Sequence, residues 1–303
     1  MRIGFIGTGR LGVHLAGSLL RAGHELTVHD RDSAAAESLL ECGAAWAASP
    51  RKVGEECESV FTCLPSPAAV ASVISGESGV LEGLAPGSTW IDMSTNDRHE
   101  LERLAGLAAA VGVQCLEAPV TGGVHKAAAG DITVLVGGDP EVFEAHRPLF
   151  EAMGGEIFHI GPLGSASVIK VITNMLAFVH LVATGEALML ARKAGLDLAQ
   201  TYRVIEASSG TSFVHETEGQ LILNGSYDIG FTMDLACKDL GLAHELGREL
   251  RSPLELAALV EQTFVRARER YGGSAQSPMV VKLLEDDLGV DLRADGFPAR
   301  LEP

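Results

Sequence analysis

The sequence predicts an α/β fold, with an N-terminal doubly wound, mostly parallel sheet followed by an all-α C-terminal domain and a long interdomain helix joining the two. Three observations predict it. Short apolar runs alternate with helix-period stretches through the first half, the pattern of strands joined by crossover helices. The alternation stops at the breaker cluster Gly161-Pro162-Leu163-Gly164. From Ser165 to Ala194 the chain then keeps helical periodicity over roughly 30 residues, about 45 Å of helix, with Gly195 placed to cap its end.

Taken in order, Arg2 to Ile6 reads as the first strand, Val13 to Arg21 as a helix and Leu26 to His29 as a second strand. Further strand-like runs are Ser59 to Cys63, Ser88 to Met93, Val113 to Glu117, Ile132 to Val136 and Glu156 to His159. Helical stretches lie between them at Ser33 to Cys42, Ala68 to Ser75, Arg98 to Val111 and Pro140 to Met153. After the long helix the pattern is helical only: Asp197 to Ala207, Phe213 to Leu223, Met233 to Leu250, Pro253 to Tyr271 and Pro278 to Leu284. Gly289 to Pro303 has no clear period and reads as a loose tail. A length of 303 residues suits two domains, drawn as 1–162 and 163–303.

Composition excludes several classes. Hydrophobic residues are 47% and charged residues 21%, which is globular rather than disordered. With 40 acids against 23 bases and a net charge of −17, nucleic acid is not expected as a partner. Cys42, Cys57, Cys63, Cys115 and Cys237 are odd in number and contain no C-x-x-C, so reduced, mostly buried thiols and a cytoplasmic location are expected. A strand starting at Arg2 leaves no room for a signal peptide. Met175 to Ala191 is the most apolar long run, but it holds His180, Thr184 and Glu186, so a buried helix is expected rather than a membrane span. There is no nucleophile elbow and no metal-ligand spacing among the ten scattered histidines.

Gly7-Thr8-Gly9-Arg10-Leu11-Gly12 follows the first strand and opens a helix, and Asp30 stands at the end of the second strand. A lone G-x-G-x-x-G says little, but this one has the strand, helix, second strand and acid that a dinucleotide needs, which makes the first domain a Rossmann domain. Gly7 permits the sharp turn, Gly9 the approach of a pyrophosphate and Gly12 the packing of helix on strand. The free N–H groups of the helix start favour phosphate. Asp30 suits the ribose hydroxyls of NAD and repels a 2′-phosphate; Arg31 beside it leaves NADP possible.

Three other segments carry chemistry. Glu117-Ala118-Pro119-Val120-Thr121-Gly122-Gly123 follows a strand, and Thr121, Gly122 and Gly123 can cradle a substrate carboxylate or form an ordinary turn. Lys170 and Asn174 are four residues apart, on one face of the long helix; on pattern alone Lys170 reads equally as an exposed residue at the helix start. Lys238-Asp239 lies inside the Met233 to Leu250 helix, where such a pair is commonly solvated.

Together these segments resemble the β-hydroxyacid dehydrogenase family. The matching stretches are Gly4 to Gly12, Ala118 to Gly123, Gly164 through Lys170 to Asn174, and Lys238-Asp239-Leu240, reaching to about residue 285. The resemblance implies that Lys170 is the acid/base, that Asn174 helps hold the substrate, that Thr121, Gly122 and Gly123 bind its carboxylate, and that Lys238 lies beside the cofactor. Leu64-Pro65 and Thr95 match cofactor-contacting positions. Departures are Leu11 for the usual Met, Thr121 for Ser, Thr173 where Asn is common, Ser94-Thr95-Asn96-Asp97-Arg98, and His125-Lys126. They bear on substrate more than on chemistry, and Asn96, Asp97, His125 and Lys126 are candidates for the border of its pocket.

The implied reaction is hydride transfer between nicotinamide and a small hydroxy acid or its semialdehyde, at a site between the domains, with Lys170 passing the proton. An imine reductase is the first alternative, although such relatives typically lack the lysine. A 6-phosphogluconate dehydrogenase is larger and needs a phosphate-binding basic cluster. A non-catalytic dinucleotide sensor has no need to keep Lys170 and Lys238. The long apolar helix is also expected to pack against a second subunit, in a homodimer or homotetramer.

Overall fold

In the computed structural model, the structure describes residues 1–302, which divide into two compact units, Met1–Lys170 and Val171–Glu302. The first unit begins with β1 (Arg2–Ile6), α1 (Gly12–Arg21), β2 (Glu25–His29), α2 (Glu37–Glu41), β3 (Ala45–Trp46), α3 (Pro50–Glu56), β4 (Ser59–Thr62) and α4 (Pro67–Ser75). It continues with β5 (Thr89–Asp92), α5 (Arg98–Ala110), β6 (Gln114–Glu117), β7 (Val120–Thr121), α6 (Gly123–Ala129), β8 (Ile132–Gly138), α7 (Pro140–Met153) and β9 (Gly154–Gly161). Helix starts follow local chemistry. Ser49, Ser66 and Asp139 accept N-cap hydrogen bonds ahead of Pro50, Pro67 and Pro140, each preset for a first helical position.

β3, β2, β1, β4, β5 and β6 lie side by side and parallel. The sheet is then mixed, because β8 runs antiparallel to both β6 and β7 before β9 pairs parallel with β8. The chain between β7 and β8 holds only the seven-residue α6, too short for the crossover that a parallel strand requires. Side chains alternate between two buried layers: Ile3, Phe5, Phe61 and Ile91 in one, Ile6, Val60, Trp90 and Val53 in the other. Both faces of the sheet are covered, as a doubly wound sheet requires, and each such side chain contributes roughly 1.5–3 kcal/mol of burial.

One element expected from periodicity differs, and others form outside that pattern. Ser33 to Cys42 is a 3₁₀ turn, Ser33–Ala36, followed by the short α2. β3 and α3 have no counterpart in the sequence reading, since a two-residue strand has no period and α3 is marked only by its Ser-Pro start.

α8 (Ser165–Lys193) starts after Gly161 and Gly164, which hold φ of +152° and +92°, and stops before Gly195 at φ +78°. It is long and apolar enough to cross a bilayer by length and composition alone. The second unit adds α9 (Leu198–Glu206), α10 (Phe213–Asn224), α11 (Met233–Glu249), α12 (Glu255–Tyr271) and α13 (Lys282–Leu288). Its core gathers Leu181, Leu188, Leu223, Met233, Leu240 and Phe264. α13 begins later than the expected Pro278, because Ser277–Val280 forms a 3₁₀ turn first.

The tail is not loose. Leu292 is fully buried, and its N–H donates to Glu285 Oε1 at 2.8 Å. Arg293 reaches Glu285 at 2.7 Å and Tyr227 Oη at 2.9 Å, and Ala294 N–H donates to Leu223 O at 3.0 Å. Phe297 stacks edge-on with Tyr202 at 5.0 Å. The segment docks through side-chain and backbone hydrogen bonds rather than through a periodic apolar face, so hydrophobic patterning carries no trace of it.

Candidate functional site

The glycine loop is built as its spacing demands. Gly7 holds φ +96°, and a Cβ there would sit 2.3 Å from Cys63 O. A Cβ on Gly12 would lie 1.9 Å from Gly7 O, so α1 approaches the loop only without a side chain. A Cβ on Gly9 would meet nothing within 4 Å, which leaves open space over the backbone. Asp30 Oδ2 accepts the Thr8 N–H at 2.8 Å, and Oδ1 accepts the Asp32 N–H at 3.0 Å. Thr8 is buried, Leu11 half-buried, and Arg10 and Arg31 exposed. A dinucleotide fits this loop: the glycines leave room for pyrophosphate, the helix start presents N–H groups, and the carboxylate at the end of β2 suits ribose hydroxyls.

The strand ends beside the loop are tied together by a buried polar network. Asp92, at the end of β5, accepts from Thr62 Oγ1 at 2.9 Å, Ser94 N–H at 3.1 Å and Asn96 Nδ2 at 2.8 Å. Ser94 Oγ accepts the Leu64 N–H at 2.9 Å, which joins the Leu64-Pro65 turn to the Ser94-Thr95 turn. Leu64 and Thr95 are half-buried and Pro65 exposed. Burial pushes the Asp92 carboxyl above its ordinary range, and the donors from Ser94, Asn96 and Thr62 oppose that. Asn96 and Asp97 are engaged here: Asn96 is buried against Asp92, and Asp97 caps α5 through the Glu100 N–H.

On β7 and α6, Gly122 and Gly123 hold φ of +126° and +88°, a region that L side chains rarely adopt. Thr121 stands just before them, half-buried, paired with Thr133 across the strands. The His125 ring folds back over Gly123, 3.2 Å from where a Cβ would stand. Burial first, then the Lys126 charge, holds its pKa below the usual histidine value. Lys126 pairs with Asp131 at 3.3 Å.

Glu117, the last residue of β6, turns to the start of α8. Its Oε1 accepts the Ala166 N–H at 2.9 Å, and its Oε2 accepts the Ser167 N–H at 2.8 Å. Lys170 follows within one turn and is buried, with 8% of its surface exposed, which removes the reading of an exposed helix end.

In the second unit, Asn174 is buried and donates from Nδ2 to Asp239 Oδ2 at 2.6 Å. Asp239, 1% exposed, also forms an ion pair with Lys238 Nζ at 2.6 Å. One carboxylate therefore holds the two residues that the motifs singled out separately. On local pattern alone Lys238-Asp239 reads as a solvated pair, the resemblance gives a place beside the cofactor to Lys238 only, and Asp239, Asp92, Ser94 and Glu117 have no site role in the sequence reading. Their partners lie 30 to 65 residues away for the Leu64–Ser94 and Asn174–Asp239 bonds, beyond any local pattern. The one signal available was a string of acids at strand ends. Among the described residues no group of three or more His, Cys, Asp or Glu is placed to hold a metal ion.

The chain is similar to known proteins over most of its length. The NAD binding domain of 6-phosphogluconate dehydrogenase, as a family, matches residues 2–161, and the NAD-binding family of NADP-dependent 3-hydroxyisobutyrate dehydrogenase matches residues 164–284. The chain is 34% identical to 2-(hydroxymethyl)glutarate dehydrogenase of Eubacterium barkeri, over 96% of this chain and 97% of that protein. It is 36% identical to an NAD-dependent L-serine dehydrogenase of Pseudomonas aeruginosa, over 94% of this chain and 98% of the relative. Among solved structures, a 3-hydroxyisobutyrate dehydrogenase from Salmonella typhimurium superposes with a TM-score of 0.87 at 32% identity, covering 93% of this chain and 99% of that one.

Proposed function

The chain belongs to the β-hydroxyacid dehydrogenase family and is an NAD(P)-dependent oxidoreductase of small hydroxy acids; from that premise we propose that Lys170 is its proton donor and acceptor. The observation that carries the proposal is the buried Lys170 on the first turns of α8, one turn ahead of an Asn174 held by Asp239. The nicotinamide cofactor supplies or takes the hydride when bound. Gly7, Thr8, Gly9, Arg10, Leu11 and Gly12 would hold its pyrophosphate, Asp30 its ribose, and Leu64, Pro65, Thr95 and Lys238 its remaining length. Asp30 supports NAD over NADP, because its carboxylate repels a 2′-phosphate.

Lys170 gives a proton to the oxygen of the carbonyl being reduced, and takes it back in oxidation. Burial disfavours an ammonium, and proton transfer near neutral pH needs that bias. Thr121 and the amides of Gly122 and Gly123 receive the substrate carboxylate. Asn174 orients the substrate oxygen, with its own amide fixed by Asp239. The substrate class is a short acid bearing a 2- or 3-hydroxyl. The relatives named for 2-(hydroxymethyl)glutarate and L-serine support that class, and they favour it over imines or a sugar phosphate.

A homo-oligomer completes the reading, supported by the exposed Ile172, Leu176 and Leu190 on α8 and Leu256 and Leu259 on α12. A reducing, cytoplasmic setting is supported by five free cysteines.

The decisive experiment is turnover of Lys170→Arg against a panel of short 2- and 3-hydroxy acids. Arginine keeps the charge and does not release a proton near neutral pH. We expect kcat to fall by about 10²–10⁴-fold with cofactor binding retained. Near-normal turnover by this variant on any acid the parent enzyme oxidises would remove Lys170 from the chemistry.

A further inference from the structure

We propose that Glu117 is the positioning residue for Lys170. The proposal rests on the reading of Lys170 as the acid/base, and all of its geometry lies within the Met1–Lys170 unit. Glu117 is 1% exposed and, from the end of β6, grips the first turn of α8. Donors from the start of α8 converge on it: Ala166 N–H at 2.9 Å, Ser167 N–H at 2.8 Å and Ser167 Oγ at 2.5 Å, with the Gly164 backbone beside them. The first N–H groups of a helix have no partner within it, so two adjacent amides bound to the two oxygens of one carboxylate fix both the height and the rotation of the helix start. Lys170 leaves the helix three residues beyond Ser167, about 4.5 Å along the axis. An error in rotation at that start passes directly to the amine.

Two further observations show a place made for this carboxylate. Gly137 on β8 is the register partner of Glu117, and a Cβ there would come within 2.2 Å of Glu117 Oε1. The same strand end continues through Ala118-Pro119 into Thr121 and the glycine pair. The segment proposed to hold the substrate carboxylate and the helix carrying the amine are therefore referenced to one residue. Burial pushes the Glu117 carboxyl up, and hydrogen bonds from Ser167 and Ala166 work against that. A negative charge is also favoured at the positive end of a helix dipole.

The test is a double-mutant cycle on the full chain with Glu117→Gln, Lys170→Ala and the double variant, measured under saturating cofactor and acid well below each melting temperature. We expect Glu117→Gln to lower kcat by about 10–100-fold, with the KM for cofactor changed by less than about 3-fold. In the Lys170→Ala background it should cost nothing further, because its effect runs through the amine. Ser167→Ala removes only the hydroxyl donor; it should lower kcat a few-fold in the same way, and it decides the matter if Glu117→Gln does not fold. The proposal is overturned if these variants lose melting temperature but keep kcat, or if Glu117→Gln slows the Lys170→Ala enzyme as much as it slows the parent. An inactive Lys170→Ala enzyme beside an unimpaired Glu117→Gln enzyme overturns this proposal alone. A fully active Lys170→Ala enzyme overturns the acid/base reading and this proposal together.

Discussion

The two units solvate their buried carboxylates differently. In Met1–Lys170, Asp92 and Glu117 sit side by side in register at the ends of β5 and β6, and the donors they accept from are neutral hydroxyls, amides and backbone N–H groups. In Val171–Glu302, Asp239 and Glu285 each add a cation, Lys238 and Arg293, to neutral donors such as Asn174 Nδ2 and the Leu292 N–H. A neutral-donor shell places loops and helix starts where its bonds end on backbone atoms, as at Ser94, Ala166 and Ser167. A cationic partner pins one side chain to another and locks helices or a tail together. The unit with the glycine loop uses the first device and the helical unit the second.

The comparison breaks most visibly at Arg293. Removing it leaves Glu285, whose side chain is wholly buried, with a stranded charge and frees the tail. Arg293→Ala should destabilise the second unit by roughly 3 kcal/mol, the low end for a broken buried pair, because the arginine is itself partly exposed. Chemical denaturation read by tyrosine measures it directly: Tyr202, Tyr227 and Tyr271 all lie in that unit, and both tryptophans, Trp46 and Trp90, lie in the other. A change under about 0.5 kcal/mol would mean that the tail and its ion pair contribute little.

Acid should act on both units next. Burial raises the Asp92 and Glu117 carboxyls, so their contribution to stability is fully present below the ordinary carboxyl range and is lost as pH rises through the raised values. Asp286 is lowered chiefly by Lys282, and Asp287 chiefly by Arg266. Their contribution is present above the ordinary value of about 4 and is lost as pH falls below it. Lowered carboxyls stand in the first unit too, at Glu55, Glu100 and Glu144 beside their Lys and Arg partners, and burial raises Glu218 in the second to about 8. On acidification the tyrosine and selectively excited tryptophan signals should therefore both weaken; one that holds while the other is lost would refute this.

The smallest effect is expected at Asp92→Asn, which removes a desolvated charge and keeps an acceptor for Thr62 and the Ser94 N–H but turns an amide donor toward Asn96 Nδ2. Thermal melting should move by the equivalent of about 1–2 kcal/mol. A loss as large as that of Arg293→Ala would show that the charge itself, rather than the neutral shell, holds the strand ends.

Much of this was legible in the residues. The strand–glycine–helix–strand order of the first 30 residues, the positive-φ glycine pair after Thr121, and the one-turn spacing of Lys170 and Asn174 are local, and local geometry is what neighbouring residues encode. The direction of β8, the docked tail and the jobs of Asp92, Glu117 and Asp239 were not legible. Each depends on partners brought together only by packing: Glu117 with Ser167 across 50 positions, Asn174 with Asp239 across 65.

By itself, the sequence determined where the chain turns, which stretches coil, and which residue types are available for binding a dinucleotide and moving a proton. These follow from backbone sterics and from periods of two and 3.6 residues. Only the tertiary structure decided which acid answers which amide, because a carboxylate has the same chemistry wherever it occurs and takes its role from the donors that folding brings within 3 Å of it.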